Sequence, residues 1–381
     1  MSFLGSYDRT NPFLWQALVD GMVETKYIDS IPWCARARMD LQRINPVDYP
    51  DWDDFLLASG DSSFFHTSAW AKVIVESYGY QPVYFARIEN DRLSFLMPFM
   101  AIVSRLTGRR GVSLPFTDYC NPFGPDKEPL RDAMRTAIDY GRRSKWEYAE
   151  WRTTGDLIQG ATPSESYLTH DLNLERSESE LFSGLRESNR RNIRKATKDG
   201  LTINFDNSPE SLGAFYRLHC RTRKRHGLPP QPLSFFKNIL DHVLSRNLGV
   251  IVSALFSGKV IASSIFFHFG TNAIFKYGAS DTGYLSHRPN NLVMWEAVKW
   301  YKGRGARSLS LGRTEADNHG LLRFKRSWGA SESALKYYRY DLERGAFSRS
   351  PLRGDHPRKL FSLAPVGILR LLGRLFYKHV G

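Results

Sequence analysis

One order of elements occurs twice along the chain, and that recurrence constrains the fold more than any single motif. In the second half, Val250 to Phe256 and Val260 to Phe269 read as a β-hairpin around Ser257-Gly258-Lys259. Ala273 to Gly278 follow as a third strand, and a polar loop runs to Pro289. Pro289 opens a helix to about Lys302, and Ala306 to Leu311 make the next strand. In the first half, PVYFARI and LSFLMPFMAIV flank the polar turn Glu89-Asn90-Asp91-Arg92, and Gly111 to Phe116 form the third strand. A polar loop from Thr117 to Pro125, a helix opened by Pro129 and a strand from Trp146 to Trp151 complete the set. Two copies of one α/β unit explain this order; coincidence of common elements is the competing reading. The expected fold class is α/β (α+β): a tandem pair of like domains, each a mixed, mostly antiparallel sheet flanked by helices. The spans are an extension over 1–45, domains over 46–174 and 175–342, and a basic linker with an amphipathic helix over 343–381. A short helix is expected over Asn11 to Val23.

A chain of 381 residues is long for one core, in keeping with two domains. Its composition, 42% hydrophobic and 24% charged, is that of a globular protein. The formal net charge of +14 points to an anionic partner: nucleic acid, anionic lipid or a phosphorylated small molecule. Cys34, Cys120 and Cys220 are far apart, form no CxxC pair and have no histidine at zinc spacing. The expectation is reduced thiols, with neither a metal site nor a disulfide framework. The first thirty residues carry Asp8, Asp20 and Glu24 and lack a sustained apolar run, so no secretory signal is read there. No apolar stretch is long enough to cross a bilayer. The protein is expected in the cytosol or on the inner membrane face.

Positive charge is concentrated in three places. Arg186, Arg190, Arg191, Arg194, Lys195 and Lys198 share one helix that Gly200 ends. Arg221, Arg223, Lys224 and Arg225 crowd the last turn of the next, Pro209 to Arg225. Each run alone reads as a solvated face; together they suggest an anion-binding surface. In LFSLAPVGILRLLGRLFYKHV, Ile368, Leu371, Leu372, Leu375 and Phe376 follow helical spacing on one side, and Arg370, Arg374 and Lys378 on the other. Such a helix lies on an anionic membrane surface or docks on the protein's own core; the all-cationic polar face favours the membrane.

Four stretches carry a family resemblance. They are FHTSAWAKVIVESYGYQPVYFA, ESNRRNIRKATKDGL, YGASDTGYLSHRPNNLVMWEAVKWYKGRGARSLSLGR and GLLRFKRSWGA, spread over roughly residues 50–340. The chain resembles the FemAB-like peptidyltransferases of the GNAT-like acyltransferase superfamily. The resemblance implies two GNAT-like domains in tandem. It also implies transfer of an amino acid from an aminoacyl-tRNA to an amine of a peptidoglycan precursor; shorter members are associated with exopolysaccharide and other envelope pathways. The long helical arm of some members is missing, and Ile74 stands where members often have a lysine. By resemblance, Phe324 and Lys325 fall on a Phe-Lys pair near the reacting centre, Arg225 on an arginine that meets precursor phosphates, and Asp118 near an acidic residue of the cleft.

From the residues themselves, aminoacyl transfer requires alignment of ester and amine, a proton acceptor and oxyanion stabilisation. The candidate catalytic residues are Lys325 with Phe324, Asp118 as base, and Tyr277 as a donor at a strand end. Arg225, Arg313, His287, Asn290, Asn291 and Trp328 are the candidates for substrate binding, arginine being the best phosphate fork and helix N-termini binding anions. No metal or resident cofactor is expected; the donor is aminoacyl-tRNA, with acyl-CoA the alternative. His287-Arg288-Pro289-Asn290-Asn291 offers neither glycine nor a full set of amides to cradle a pyrophosphate, which argues against acyl-CoA. The expected partners are a phosphorylated envelope precursor, tRNA through the donor, and an anionic membrane surface through the C-terminal helix. The competing functions are a GNAT-type acyl-CoA-dependent N-acyltransferase and a non-enzymatic protein that binds nucleic acid or lipid.

Overall fold

Among the described residues thirteen strands form one sheet, and the two sequence halves meet in its middle. A computed structural model describes residues 40–60, 62–124, 127–158, 160–349 and 358–381. The helix expected over 11–23 and most of the basic linker lie outside the described residues. The first half runs β1 (Gln42–Ile44), α1 (Trp52–Ser59), α2 (Ser68–Tyr78), β2 (Gln81–Glu89), β3 (Arg92–Ser104), β4 (Gly108–Val112), α3 (Lys127–Arg143), β5 (Tyr148–Thr154) and β6 (Glu165–Asn173). The second begins with α4 (Glu178–Gly184), α5 (Glu187–Lys198), β7 (Thr202–Phe205), α6 (Pro209–Arg225) and α7 (Leu233–Ile239). It continues with β8 (Gly249–Phe256), β9 (Lys259–Phe269), β10 (Asn272–Ser280), α8 (Pro289–Gly303), β11 (Ser308–Ser310), α9 (His319–Arg326) and β12 (Ser331–Asp341). A short β13 (Ala346–Ser348), α10 (Arg358–Leu363) and α11 (Val366–Phe376) close the chain.

Local chemistry sets the element ends. Thr67 caps α2 by accepting from the Trp70 amide at 3.2 Å. Ser177 and Glu180 form a capping box at α4, and Ser208 caps α6 just before Pro209. The hairpin β2–β3 turns through Asn90 and Asp91, both at positive φ, and β8–β9 through Ser257 and Gly258, again both at positive φ. Such two-residue left-handed turns match the twist of antiparallel strands. Each hairpin carries a register shift next to its turn, at Arg87/Ile88 and at Ala254/Leu255. The recurrence in the sequence is therefore a recurrence in space, down to the bulge. Each half also has one parallel pair in an otherwise antiparallel sheet, β4 with β5 and β10 with β11.

Several features depart from the sequence reading: α3 begins at Lys127 rather than at Pro129, and β1, β7 and α7 are additions to it. The third strand of the first half ends at Val112, not Phe116, because Leu114 and Phe116 adopt positive φ and leave the sheet. Strands β6 and β12 were not expected, and they make the seam. The sheet order is β1-β2-β3-β4-β5-β12-β6-β11-β10-β9-β8-β7, with β13 on β12. Each half thus places its last strand in the other's territory. β12 pairs antiparallel with β5, β6 pairs antiparallel with β11, and the two pair with each other from Ser331↔Asp171 to Tyr337↔Glu165.

The exchange completes the cores. Beneath α3, Tyr338 and Tyr340 of β12 pack with Phe99, Trp146 and Trp151. Under α8, Leu172 of β6 and the following Leu174 pack with Trp295, Val298 and Leu309. A third cluster is shared by the halves: Phe64 stacks on Phe267 at 4.4 Å, and Trp70 meets Phe235 edge-on. The C-terminal segment docks on this body. Leu369 and Gly373 face inward, and a Cβ on Gly373 would lie 2.0 Å from the Pro230 carbonyl oxygen, which only glycine tolerates. Docking on the protein was the reading less favoured from sequence; the opposite side of α11 stays exposed.

Leu335 is fully buried on β12 in the small seam cluster with Tyr167 and Tyr337. Leu335→Ala should cost about 2–4 kcal/mol in urea denaturation. Because the seam belongs to both halves, the loss should appear in a single transition; separate unfolding of the halves would contradict this account of the fold.

Candidate functional site

Charged side chains from both halves converge where the parallel pairs meet the seam. Asp118 comes from the loop after β4. Its carboxylate lies 3.1 Å from Lys276 Nζ, which reaches it from β10 of the other half. Lys276 also lies over the Phe65 ring, 5.1 Å from its centroid. Burial pulls the Asp118 carboxyl upward, but Lys276, Arg313 and Lys325 outweigh it and hold the group below the usual carboxylate range. At Lys276 the balance is reversed: burial outweighs Asp118, and the ammonium is held below the ordinary lysine value.

Lys325 enters the same cluster from α9. It is 3% exposed, which for a lysine requires partners. Its Nζ donates to the carbonyl oxygens of Gly312 at 2.7 Å and Arg313 at 3.1 Å. An ammonium has three N–H donors, so two are engaged in the turn after β11. Burial lowers its pKa to about 8 against the opposing pull of Asp118, Glu315 and Asp171. The turn is held open by Gly312 at φ +74°, where a Cβ would come within 3.0 Å of Asp118 Oδ2 and 3.3 Å of the Phe275 carbonyl oxygen.

The exchanged strands supply the wall. Arg313 stacks over Tyr167 of β6, 4.3 Å from the ring centroid, and donates to the Tyr337 hydroxyl of β12 at 2.9 Å. Tyr337 in turn donates to the Asp118 carbonyl oxygen at 2.7 Å. Arg152 lies over Tyr337 at 5.0 Å and is held by Glu150, which also accepts from Arg339 at 2.8 Å. Burial alone would raise Glu150, yet Arg152 and Arg339 hold it low. Two guanidiniums thus flank the aromatic pair Tyr167 and Tyr337, each fixed by stacking as well as by hydrogen bonds.

The structure brings Asp118, Lys325 and Arg313 together and places Tyr277 beside Lys276, with its ring among Phe215, Phe235 and Phe236. It does not bring the others into contact with them. Phe324 packs into the core of the second half and meets Trp328 edge-on at 5.9 Å. Trp328 is buried and lines a separate small hollow with Asp171, Arg176 and Glu180. His287 stacks on Phe256 and lies 2.8 Å from Asp199. Asn290 donates to Ser280, and buried Asn291 donates to Asn189, whose own amide donates to the Ser327 carbonyl oxygen. Asn291 and Asn189 therefore tie α8 and α5 to the end of α9. Arg225 is exposed at the end of α6. Sequence reasoning missed Lys276, Arg152, Glu150, Tyr167 and Tyr337. A lone lysine in the apolar strand IFKYGA was the one available signal for Lys276.

The expected basic surfaces carry many internal pairs. Lys195 meets Asp199 at 2.8 Å, Arg194 lies over Phe182, and Arg221 meets Asp281 at 3.4 Å. Arg223 donates to the Tyr377 hydroxyl at 2.7 Å. Among the described residues no group of histidine, cysteine, aspartate and glutamate is placed to hold a metal ion.

A sheet with one parallel pair per half, flanking helices and a polar cluster where the halves meet defines a tandem GNAT-type fold. Comparison with known proteins agrees. Residues 183–326 match the model of an acetyltransferase (GNAT) domain. The crystal structure of FemX superposes with a TM-score of 0.61 at 14% identity, covering 78% of this chain and 96% of that one. A conserved protein of unknown function from Bacteroides thetaiotaomicron VPI-5482 superposes at 0.51 with 11% identity, over 78% and 99% of the chains. In sequence, 79 residues are 28% identical to a lipid II:glycine glycyltransferase of Staphylococcus haemolyticus (strain JCSC1435). That stretch is 19% of this chain and 19% of the relative, so the match spans about a fifth of the relative's length. In fold the chain is similar to FemX, over 183–326 it matches a GNAT acetyltransferase domain, and over 79 residues its sequence is similar to a lipid II:glycine glycyltransferase.

Lys276→Met should leave the Asp118 carboxylate without its nearest cation and cost about 1–3 kcal/mol in denaturant. Adding Asp118→Asn should recover only part of that loss, because Arg313 and Lys325 then lose the same carboxylate. A double-mutant cycle with no coupling would show that the pair does not hold the halves together.

Proposed function

We propose that the protein is an acyltransferase of aminoacyl-transferase type, forming an amide between an activated acyl donor and an amine of a phosphorylated cell-envelope precursor. The observation that carries this reading is Lys325, a buried ammonium with two N–H groups on the Gly312 and Arg313 carbonyls, beside Asp118 and two stacked guanidiniums. In the reaction, the acceptor nitrogen attacks the donor ester carbonyl, a C–N bond forms, the ester C–O bond breaks and the nitrogen loses a proton. The remaining N–H of Lys325 is suited to the oxyanion that develops on the carbonyl. Arg313 and Arg152, both pinned, suit an anionic portion of donor or acceptor.

Asp118 is a weak base while Lys276 faces it, so it acts as the electrostatic anchor of the cluster. The acceptor amine arrives neutral, and the proton its nitrogen loses passes through solvent to the leaving ester oxygen, which departs as an alcohol. Aminoacyl-tRNA is the donor in this reading, and no resident cofactor takes part. The start of α8 supports that choice: Arg288 stands at φ 58°, Pro289 has no N–H, and the Asn291 amide donates to the Arg288 carbonyl at 3.1 Å. Few amides are left there for a pyrophosphate. An acyl-CoA donor is the second reading, favoured by the acetyltransferase-domain match over 183–326.

The test is transfer of a labelled amino acid from charged tRNA into a lipid-linked precursor, with acyl-CoA offered in a parallel assay. Lys325→Ala should lower kcat by about 10²–10³-fold with the protein folded; an unchanged rate removes Lys325 from the reaction. Incorporation from acyl-CoA alone would select the second donor.

The pH profile gives an independent check. Lys325 titrates near 8 in the folded protein, so its charge is present below that pH and lost above it. The wild-type rate should therefore fall on the alkaline side of about pH 8. Lys325→Arg, permanently charged, should lower the rate but remove that limb. An alkaline limb that survives in Lys325→Arg belongs to another group.

A further inference from the structure

Two apolar segments far apart in sequence meet at one edge of the molecule. Among the described residues, the large hydrophobic side chains that stay exposed lie, except for Leu57 and Leu285, on the C-terminal segment or on the β3–β4 hairpin. On α11, Leu369 and Gly373 face the body, whereas Ile368, Leu371 and Leu375 occupy an outward stripe at helical spacing. The hairpin contributes Val103 and Leu106, 66% and 63% exposed, and Val380 of the tail is 66% exposed.

Tip and tail are fastened together. Ser104 Oγ lies 2.9 Å from His379 Nδ1, and the Thr107 hydroxyl donates to the His379 carbonyl oxygen at 2.7 Å. Arg110, buried, donates through Nε and Nη2 to the Gly381 oxygen at 3.0 and 2.8 Å. The two apolar segments therefore form one built edge.

The charge around this edge is mainly positive, with Glu147, which lies against Gly108, the carboxylate beside the hairpin. Exposed Arg374 and Lys378 flank the α11 stripe, and exposed Arg105 and Arg109 flank Leu106. Neither 100–112 nor 358–381 contains an aspartate or glutamate. A second copy of the chain would bring these cations face to face. An anionic lipid surface meets both requirements, taking apolar side chains at the acyl boundary and cations at the headgroups.

We propose that the outward face of α11 and the β3–β4 hairpin tip form a composite docking surface for an anionic lipid bilayer. The helix lies in the plane of the interface, and the hairpin tip enters beside it. The surface is formed by these two elements alone and is independent of the donor and acceptor of the reaction. No helix of the described residues is long and apolar enough to cross a membrane.

The test is co-sedimentation of the full chain with vesicles of equimolar phosphatidylcholine and phosphatidylglycerol, against phosphatidylcholine alone. Deleting the tail is unsuitable, because its last residues hold Arg110 and Tyr80 in the body. Point variants on exposed positions leave those bonds in place. Binding should be confined to the anionic vesicles and weaken with salt. The double variant Val103→Ser/Leu106→Ser should weaken it on the order of tenfold, and Leu371→Glu/Leu375→Glu should abolish it. Circular dichroism and the melting temperature should match wild type in both. Absence of wild-type binding overturns the proposal, and so does wild-type binding by both variants. Retention in the hairpin variant alone removes the hairpin from the surface and overturns its composite character. A wild-type dimer split by Leu371→Glu without vesicle binding would make the edge a self-interface and overturn the lipid assignment.

Discussion

The antiparallel pairing of β6 with β12 is the contact on which the rest of the molecule depends. Without it each half would present an open sheet edge and a core lacking one wall. Beside it, Tyr338 and Tyr340 close the first half's core where β12 pairs β5, and Leu172 closes the second's where β6 pairs β11. Neither half has a complete core of its own strands. The cost is a long loop closure, since the partners lie far apart in sequence, and it is offset by continuous backbone pairing across the sheet.

The same seam fixes the electrostatics. Tyr167 and Tyr337 reach it from exchanged strands, and Arg313 and Arg152 settle on their faces. Asp118 then sits among cations that the two halves supply separately, Lys276 from β10 and Lys325 from α9. Several like charges buried close together are unfavourable unless a carboxylate and aromatic faces compensate. Asp118 is therefore the element that lets the cationic site exist. Lys325 shows the remaining tension, held near pKa 8 by burial while carbonyls and carboxylates retain its charge.

Much of the architecture was legible in the chain. Asn90-Asp91 and Ser257-Gly258 mark matching turns, and the Pro209 to Arg225 helix has the bounds the sequence indicates. These features are local, governed by left-handed turn geometry and by capping. Strands β6 and β12 were missed because SYLTHDLN and SALKYYRYD mix polar and apolar residues on a surface that becomes interior only when they pair. Within the site, Lys325, Asp118 and Arg313 are legible in the sequence, the first two through the family resemblance. Lys276 and Arg152 were passed over because nothing near them in sequence indicates a partner. Asn291 and Trp328 were assigned to binding, yet the fold places one in a buried amide chain and the other in a core.

By itself the sequence determined the repeated order of elements, the excess of positive charge and the amphipathic character of the tail. Each follows from periodicity, turn chemistry or composition, which depend on neighbours along the chain. Tertiary structure alone decided which half completes which core, which cations face Asp118, and which side of α11 is covered. Those outcomes depend on distances between residues far apart in sequence, and a local pattern carries no information about its distant partner.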